Sequence, residues 1–287
     1  MKAFVFSDLH AQSKQLYNLA HFFDTTNDIG LLIFAGDAVN MGEPVGFIVN
    51  FIEAIEKIGL PFFWVPGNND FGRSYHKLNA KYRSLEGRVV VVPANYPSPL
   101  RGEVRWGGRE ESVLDSAPPP APPRRGGGRT EDDRIIKITG VGGSPASWSG
   151  QYAGEKMIDK KSIAGSIFVS HTPPPGILVM NKYDWENPNI EIRNLFESLR
   201  APQSLERPKQ TLNSNNKNPK QVSNFELRTS GLRLSDSPIV HICGHLHSRW
   251  GCGYLGSTKV INPGSLADGR YAIMDTDNLK VEFLKFV

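Results

Sequence analysis

Short apolar runs alternate with amphipathic segments in the first third of the chain. The runs Lys2 to Phe6, Leu31 to Phe34 and Phe62 to Val65 are rich in β-branched and aromatic residues, whereas Ser13 to Phe23 and Val45 to Ile58 repeat apolar residues at helical spacing. Strands that alternate with helices favour a parallel sheet, because each helix carries the chain back to start the next strand in the same direction. This part of the chain is therefore predicted to fold as βαβαβ.

Later apolar runs predict further strands, and the helical segments become rare towards the end of the chain. These runs are Val89 to Val92, Ile135 to Val141, Ile167 to Val169, Ile239 to Cys243, Trp250 to Leu255, Lys259 to Ile261, Tyr271 to Met274 and Lys280 to Phe286. Because parallel βαβ units come first and strand-turn units come last, we expect an α/β fold with a mixed sheet system.

Two segments interrupt this pattern. Residues 98–133 contain a proline tract, Pro118 to Pro123, followed by arginines and glycines, a composition that buries too little apolar surface to fold. Residues 201–237 are rich in Asn, Pro, Lys and Ser. We expect both segments to be flexible inserts in one domain that spans residues 1–287.

Composition excludes several classes of protein. With 287 residues and 39% hydrophobic residues, wholesale disorder is excluded. A formal charge of +4 is too small to indicate nucleic-acid binding by itself, but it suits an anionic substrate. No apolar stretch approaches the roughly 18 residues of a membrane span. Two cysteines, Cys243 and Cys252, form neither a disulfide framework nor a zinc-thiolate set, so we expect a cytoplasmic protein, with the nucleus as the alternative.

Possible metal ligands follow most of the predicted core strands. Since ligands at the carboxyl ends of strands converge above one sheet edge, we expect these side chains to meet. Seven such ligands suit two metal ions, with Asp37 as the bridge. Carboxylate, imidazole and amide donors without thiolate suit Mn, Fe, Zn, Ni or Co. The seven residues are Asp8, His10, Asp37, Asn68, His171, His245 and His247.

Each of these residues has an ordinary structural interpretation when it is taken alone. Asp8 and Asp37 are good helix N-caps, and Asn68 follows a Pro-Gly pair as a turn residue does. Asp70 is equally suited to an N-cap and to orienting a histidine such as His10. The metal hypothesis is favoured because the structural interpretations would have to coincide at every strand end.

The same residues carry a resemblance to the calcineurin-like metallophosphoesterases. A closer resemblance, to predicted phosphoesterases related to the Icc cyclic-nucleotide phosphodiesterase, rests on Gly140-Val141-Gly142-Gly143-Ser144, Ser170-His171-Thr172-Pro173-Pro174 and Asn262-Pro263-Gly264-Ser265. The family motifs appear as Asp8-Leu9-His10, Gly36-Asp37, Gly67-Asn68-Asn69-Asp70, His171 and Gly244-His245-Leu246-His247. The resemblance implies a four-layer αββα sandwich of two mixed β-sheets. It also implies a first metal held by Asp8, His10, Asp37 and His247, and a second held by Asp37, Asn68, His171 and His245.

The chain departs from the family at Asn69, where the family has a histidine that contacts the phosphoryl group or protonates the leaving group. Asn69 and Asp70 are therefore the candidate catalytic residues beside the metals. The resemblance implies a hydrolase of small phosphate esters, nucleotides among them, and we favour a phosphodiesterase that uses a metal-bridging hydroxide. The alternatives are a phosphomonoesterase or phosphoprotein phosphatase, a non-catalytic scaffold, and a nucleic-acid partner as the weakest. Protein partners stay undefined.

Overall fold

The computed structural model describes residues 1–42, 45–70, 72–93, 135–143, 160–174, 178 and 237–286. Its helices are α1 (Ser13–Thr25), α2 (Gly46–Ile58), α3 (Gly72–Lys81) and the short α4 (Lys160–Ile163). Its strands are β1 (Lys2–Phe6), β2 (Ile29–Phe34), β3 (Phe62–Trp64), β4 (Val89–Pro93), β5 (Ile135–Val141), β6 (Ile167–Ser170), β7 (Val240–Ile242), β8 (Gly251–Leu255), β9 (Thr258–Asn262), β10 (Arg270–Asp275) and β11 (Val281–Lys285).

The strands form two sheets, and both are mixed. The five-stranded sheet has the order β11-β10-β1-β2-β3, in which β1, β2 and β3 are parallel and β10 and β11 are antiparallel to their neighbours. The six-stranded sheet has the order β4-β5-β6-β7-β9-β8, with β5, β6, β7 and β9 parallel. The predicted mixed α/β architecture is therefore confirmed.

Alternation along the strands explains how the layers pack. Phe4 and Phe6 belong to the cluster that β1 forms with α1 and α2, whereas Ala3 and Val5 belong to the cluster between the two sheets. Successive side chains of a strand point to opposite faces, so β1 contributes to two cores at once. A third cluster on the far face of the six-stranded sheet includes Ile163 of α4. This layering agrees with the predicted αββα sandwich.

The predicted strands and the helices α1 and α2 are all present, with ends shifted by one or two residues. The prediction was wrong in omitting α3, which is mostly polar and buries only Ser74 and Leu78. The insert at 98–133 and nearly all of that at 201–237 lie outside the described residues. Among the helices of the described residues, none has the length and apolarity that crossing a membrane requires.

Candidate metal centre

The loops that follow β1 and β2 are held together by backbone hydrogen bonds. Asp8 donates its N–H to the carbonyl of Gly36 at 2.8 Å, and Leu9 donates to the carbonyl of Asp37 at 2.8 Å. Asp8, His10 and Asp37 have positive φ angles of 53°, 47° and 61°. Non-glycine residues adopt this left-handed conformation at a cost, and such strained residues cluster at functional sites. The candidate ligands are thus held in an unfavourable backbone conformation by the surrounding loops.

Asp8, His10 and His247 form one part of the site, here called the exposed half. The two Nε2 atoms of His10 and His247 lie 3.0 Å apart, and His247 Nε2 lies 3.3 Å from Asp8 Oδ1. The ligand atoms of all three residues lie within 4.8 Å of one another. Asp8 Oδ1 is buried yet makes no hydrogen bond. A buried carboxylate oxygen is costly to leave unsatisfied, and a cation would remove that cost.

Asp37, Asn68, His171 and His245 form the other part, here called the buried half. His171 Nε2 lies 3.3 Å from Asp37 Oδ2 and 3.0 Å from Asn68 Oδ1. The other nitrogen of His171, Nδ1, donates to the carbonyl of Ala35 at 2.7 Å. With Nδ1 protonated, Nε2 faces two oxygen acceptors, an arrangement that needs a proton or a metal ion between them.

The pKa values of these groups show that the site attracts positive charge. Burial opposes the charged form of His171, but its attraction and hydrogen bond to Asp37 outweigh burial and raise its pKa to about 10. Burial would raise the pKa of Asp8, yet the imidazoles of His10 and His247, with Nε2 atoms 3.7 Å and 3.3 Å from Asp8 Oδ1, lower it well below the usual value. Without a metal, the proton on His171 therefore supplies positive charge that a bound cation would replace. The donor set fits divalent cations on this ground.

His245 completes the buried half. Its ring centroid lies 5.1 Å from that of His171, and its backbone N–H donates to Asp8 Oδ2 at 2.9 Å. Burial and the nearby His171 lower its pKa to about 4, so the imidazole is neutral at pH 7 and able to bind a metal. The structure therefore brings all seven of the predicted ligand residues to one place. His245 connects the two halves, because it contacts His171 in one and donates a hydrogen bond to Asp8 in the other.

Asp70 contacts backbone groups rather than a histidine. Its carboxylate accepts N–H groups of Asp37 at 2.7 Å, Ala38 at 2.8 Å and Gly67 at 3.0 Å. Among the described residues no hydrogen bond joins Asp70 to His10, so the role of orienting His10 stays a prediction, and the observed contacts of Asp70 are with the loop backbones. Burial and repulsion from Asp37 raise the pKa of Asp70 to about 6.

Asn40 forms hydrogen bonds with both the ring and the backbone of His10, and sequence reasoning missed it. Asn40 Oδ1 lies 3.0 Å from His10 Nδ1, and its amide donates to the carbonyl of His10 at 3.1 Å. The available signal was its position three residues after Asp37, in the same strand-ending loop. An outer partner of this kind orients a ligating histidine and fixes its tautomer.

Asn69, which stands where the family has histidine, is bound to Asp37. Its backbone N–H donates to Asp37 Oδ1 at 2.8 Å, and its side-chain amide donates to Asp37 Oδ2 at 2.7 Å. Gly67 lets this turn approach Asp37, because a Cβ at that position would collide with Asp37 Oδ1. Asn69 thus orients the carboxylate of Asp37 and carries no group that could donate a proton to a leaving oxygen at neutral pH.

The sequence profile of the calcineurin-like phosphoesterases matches residues 1–249. The chain belongs to this family. No curated protein sequence matches the chain with significance. Membership agrees with the convergence of Asp and His side chains at the strand ends, and it identifies the protein as a member of a family of metal-dependent phosphoester hydrolases.

Solved structures share the fold at low sequence identity. One crystal structure is 16% identical, with a TM-score of 0.60 and coverage of 100% of this chain and 99% of the other. The protein TT1561 of Thermus thermophilus is 13% identical, with a TM-score of 0.56 and coverage of 99% and 98%. Phosphopantetheinyl hydrolase from Mycobacterium tuberculosis is 12% identical, with a TM-score of 0.40 and coverage of 92% and 89%. The first two show a shared fold and say nothing about substrate.

Proposed function

We propose that this protein is a dinuclear metal-dependent phosphodiesterase that acts on small phosphate esters. The observation that carries this proposal is the position of Asp37 between two groups of ligand atoms, since its Oδ2 lies 3.8 Å from His10 Nε2 in the exposed half and 3.3 Å from His171 Nε2 in the buried half. Around it, the ligand atoms of Asp8, His10 and His247, and those of Asp8, Asp37 and His171, lie within 4.8 Å of one another. Two clusters that share a buried carboxylate suit two cations better than one.

Each half of the site would hold one ion. Asp8, His10, Asp37 and His247 would hold the first ion, and Asp37, Asn68, His171 and His245 would hold the second, with Asp37 shared. Two divalent ions of the Mn, Fe, Zn, Ni or Co type lower the pKa of water towards neutrality and neutralise charge on the phosphoryl oxygens.

The protein's own groups position and support these ligands. Asp70 fixes the loop of Asp37 through backbone hydrogen bonds, and Ala35 fixes the tautomer of His171. The side chain of His247 is 45% exposed, so the substrate would approach from the exposed half. Because Asn69 supplies no proton, the leaving oxygen has to depart with little protonation from that position, which favours esters with good leaving groups.

Three alternatives fit the site less well. A phosphomonoesterase or phosphoprotein phosphatase uses the same metals, but Asn69 disfavours the poor alkoxide leaving groups that many such substrates carry. A non-catalytic scaffold has no need of seven ligand residues gathered around two buried carboxylates. A nucleic-acid substrate has little support, because the formal charge of +4 is small and basic residues in Pro- and Gly-rich inserts, such as Arg124, usually belong to solvated linkers.

The test is metal analysis followed by a substrate panel. Purified protein is stripped of metal, reloaded with each candidate ion in turn, and assayed on aryl diesters, aryl monoesters, cyclic nucleotides and short oligonucleotides. We expect two equivalents of metal per chain and the highest kcat/KM on aryl diesters. Two bound ions without turnover of any ester would favour the scaffold, and a preference for monoesters would favour the phosphatase.

A further inference from the structure

A hydrogen-bonded pair of polar residues, Ser170 and His241, is buried on the far face of the six-stranded sheet. His241 is paired in register with Phe168, and Ser170 lies two residues beyond Phe168, so both side chains point to the same face. His241 is 0% exposed and Ser170 is 1% exposed, beside a cluster that contains Phe168 and Cys243. Burial of polar groups costs free energy unless they are hydrogen-bonded, so each partner of the pair depends on the other to remain in this place.

The direction of each hydrogen bond follows from the chemistry of the partners. Ser170 Oγ lies 2.7 Å from the carbonyl oxygen of Thr172 and 2.7 Å from His241 Nε2. A carbonyl oxygen can only accept, so the hydroxyl proton of Ser170 goes to Thr172, and His241 Nε2 must donate to Ser170. Burial lowers the pKa of His241 to about 3, so the ring is neutral and carries its proton on Nε2.

This chain of hydrogen bonds ends beside a metal ligand. His171 lies between Ser170 and Thr172, and its own carbonyl accepts the N–H of Gly244 at 2.7 Å. Its ring is fixed separately, from the side of the five-stranded sheet, through Ala35. The turn of residues 170–172 is thus held from the loop that carries His245, from β2, and from β7 through His241. Without the contact to His241, the backbone of this turn is no longer connected to β7 on the far face of the sheet.

A serine next to a histidine also suggests a nucleophile and its base, and burial excludes that interpretation. Both side chains are closed to solvent and lie on the face of β6 opposite to His171, because successive residues of a strand point to opposite sides. For the same reason His241 cannot act as a proton donor to a substrate at the metal centre. The pair must act through the backbone.

We infer that His241 and Ser170 are positioning residues that hold His171 in place for the second metal ion. The inference rests on the proposed function, since it needs an ion in the buried half. Outer contacts of metal ligands typically contribute about 10- to 100-fold to metal affinity. We therefore expect Ser170→Ala and His241→Leu each to weaken binding of the second ion by about that factor, with the first ion little changed.

A double variant separates positioning from simple stability. Replacing both partners of a buried hydrogen bond by apolar groups can be nearly neutral for stability, whereas removing one leaves the other unsatisfied. The variant S170A/H241L should therefore recover the part of the melting temperature that S170A loses by leaving His241 Nε2 without its acceptor, but not the affinity for the second ion. His241→Gln, which keeps an N–H donor, should retain part of that affinity.

The experiment measures metal affinity by calorimetric titration and melting temperature of the metal-free protein for each variant. His171→Ala marks the signal of the second ion. Thr258→Val is the matched control, since it removes a buried hydroxyl that donates to the carbonyl of Pro238 in the same sheet. Recovery of second-ion affinity together with stability in the double variant would overturn the inference, as would an equal loss in Thr258→Val. If the unmodified protein binds fewer than two ions, the proposed function itself fails and the inference falls with it.

Discussion

The two halves of the metal centre differ in how firmly their histidines are held. The side chains of His10 and His247 are 15% and 45% exposed, whereas that of His171 is 0% exposed. His10 is oriented through Asn40, and the loop of His247 through a bond from Arg270 to the carbonyl of His247 at 2.8 Å. His171 is fixed at its ring, at its own carbonyl and, through Ser170, at the next carbonyl.

Under the proposed dinuclear function, this difference predicts that the two halves of the site act differently. A rigid, buried half can hold its ion in a fixed place before the substrate arrives, which is the requirement for electrostatic preorganisation. A half that is open to solvent can admit the substrate and exchange its ion more readily. The following predictions test this contrast, from the largest expected effect to the smallest.

Loss of the Asp37 carboxylate, which the proposal assigns to both ions, should abolish binding of both ions. Asp37→Ala takes away a ligand of each ion, so we expect both metal equivalents to be lost. Since each ion supplies several kcal/mol of charge stabilisation, kcat should fall by about 10³-fold or more. Metal analysis and turnover of an aryl diester measure the effect. Asp28→Ala, at a carboxylate 57% exposed, is the control, and two full equivalents in Asp37→Ala would contradict the dinuclear arrangement.

Removal of a histidine should have different consequences in the two halves. His247→Ala should lose the first ion and regain activity when imidazole is added, because the empty space is open to solvent. His171→Ala should lose the second ion and stay inactive with imidazole, because the cavity is closed. The measurement is activity against imidazole concentration at fixed metal. Equal rescue of both variants would show that the halves are equally accessible.

Asn69→His should restore part of the missing proton transfer. General acid catalysis is worth about 10² to 10⁴ in rate, so activity on alkyl esters should rise more than activity on aryl esters. The substitution would also remove the hydrogen bond from the side-chain amide of Asn69 to Asp37, so the increase in rate should be nearer the lower limit of that range. The slope of log kcat/KM against leaving-group pKa gives the answer, with Asn69→Ala as control. Equal slopes in the variant and the unmodified protein would show that another group already supplies the proton.

Metal binding to the buried half should release a proton. The pKa of His171, raised to about 10 in the metal-free protein, means that the ring is protonated at pH 7, whereas a ligating imidazole must be neutral. Affinity for the second ion should therefore rise by about tenfold per pH unit from pH 7 towards pH 10, where the dependence should level off. Calorimetry on His247→Ala, in buffers with different ionisation enthalpies, counts the protons. Binding without proton release would contradict the assignment.

Sequence reasoning succeeded where the signal was local and failed where it came from distant residues. One short stretch of sequence predicts both the strand that ends at Phe6 and the candidate ligands Asp8 and His10. The apolar run predicts the strand, and the polar residues directly after it predict the ligands. The contact between Ser170 and His241 joins residues 71 positions apart, and no periodicity predicts it. Helix α3 escaped prediction because its partners are supplied by tertiary packing rather than by an apolar stripe of its own.

The smallest effect is expected from the insert that precedes β5. We predict that replacing residues 98–133 by a short Gly-Ser bridge leaves the fold and both halves of the metal centre intact, because the Pro, Gly and Arg composition buries little apolar surface. The geometry of the flanking strands supports this prediction, since β4 and β5 are antiparallel and Pro93 is paired in register with Ile135.

The described residues that flank the segment, Pro93 and Ile135, therefore lie side by side, and a shorter loop between them costs less entropy to close. The deletion variant should bind two metal ions with unchanged affinity, turn over an aryl diester at the unmodified rate, and melt at the same temperature or slightly above it. A bridge of the same length as the insert, made of Gly and Ser, separates loop length from insert sequence. If the deletion variant melts well below both the unmodified protein and the variant with the Gly-Ser segment of full length, or loses an ion from either half, residues 98–133 pack against the domain. The comparison of the two halves would then have to include that segment.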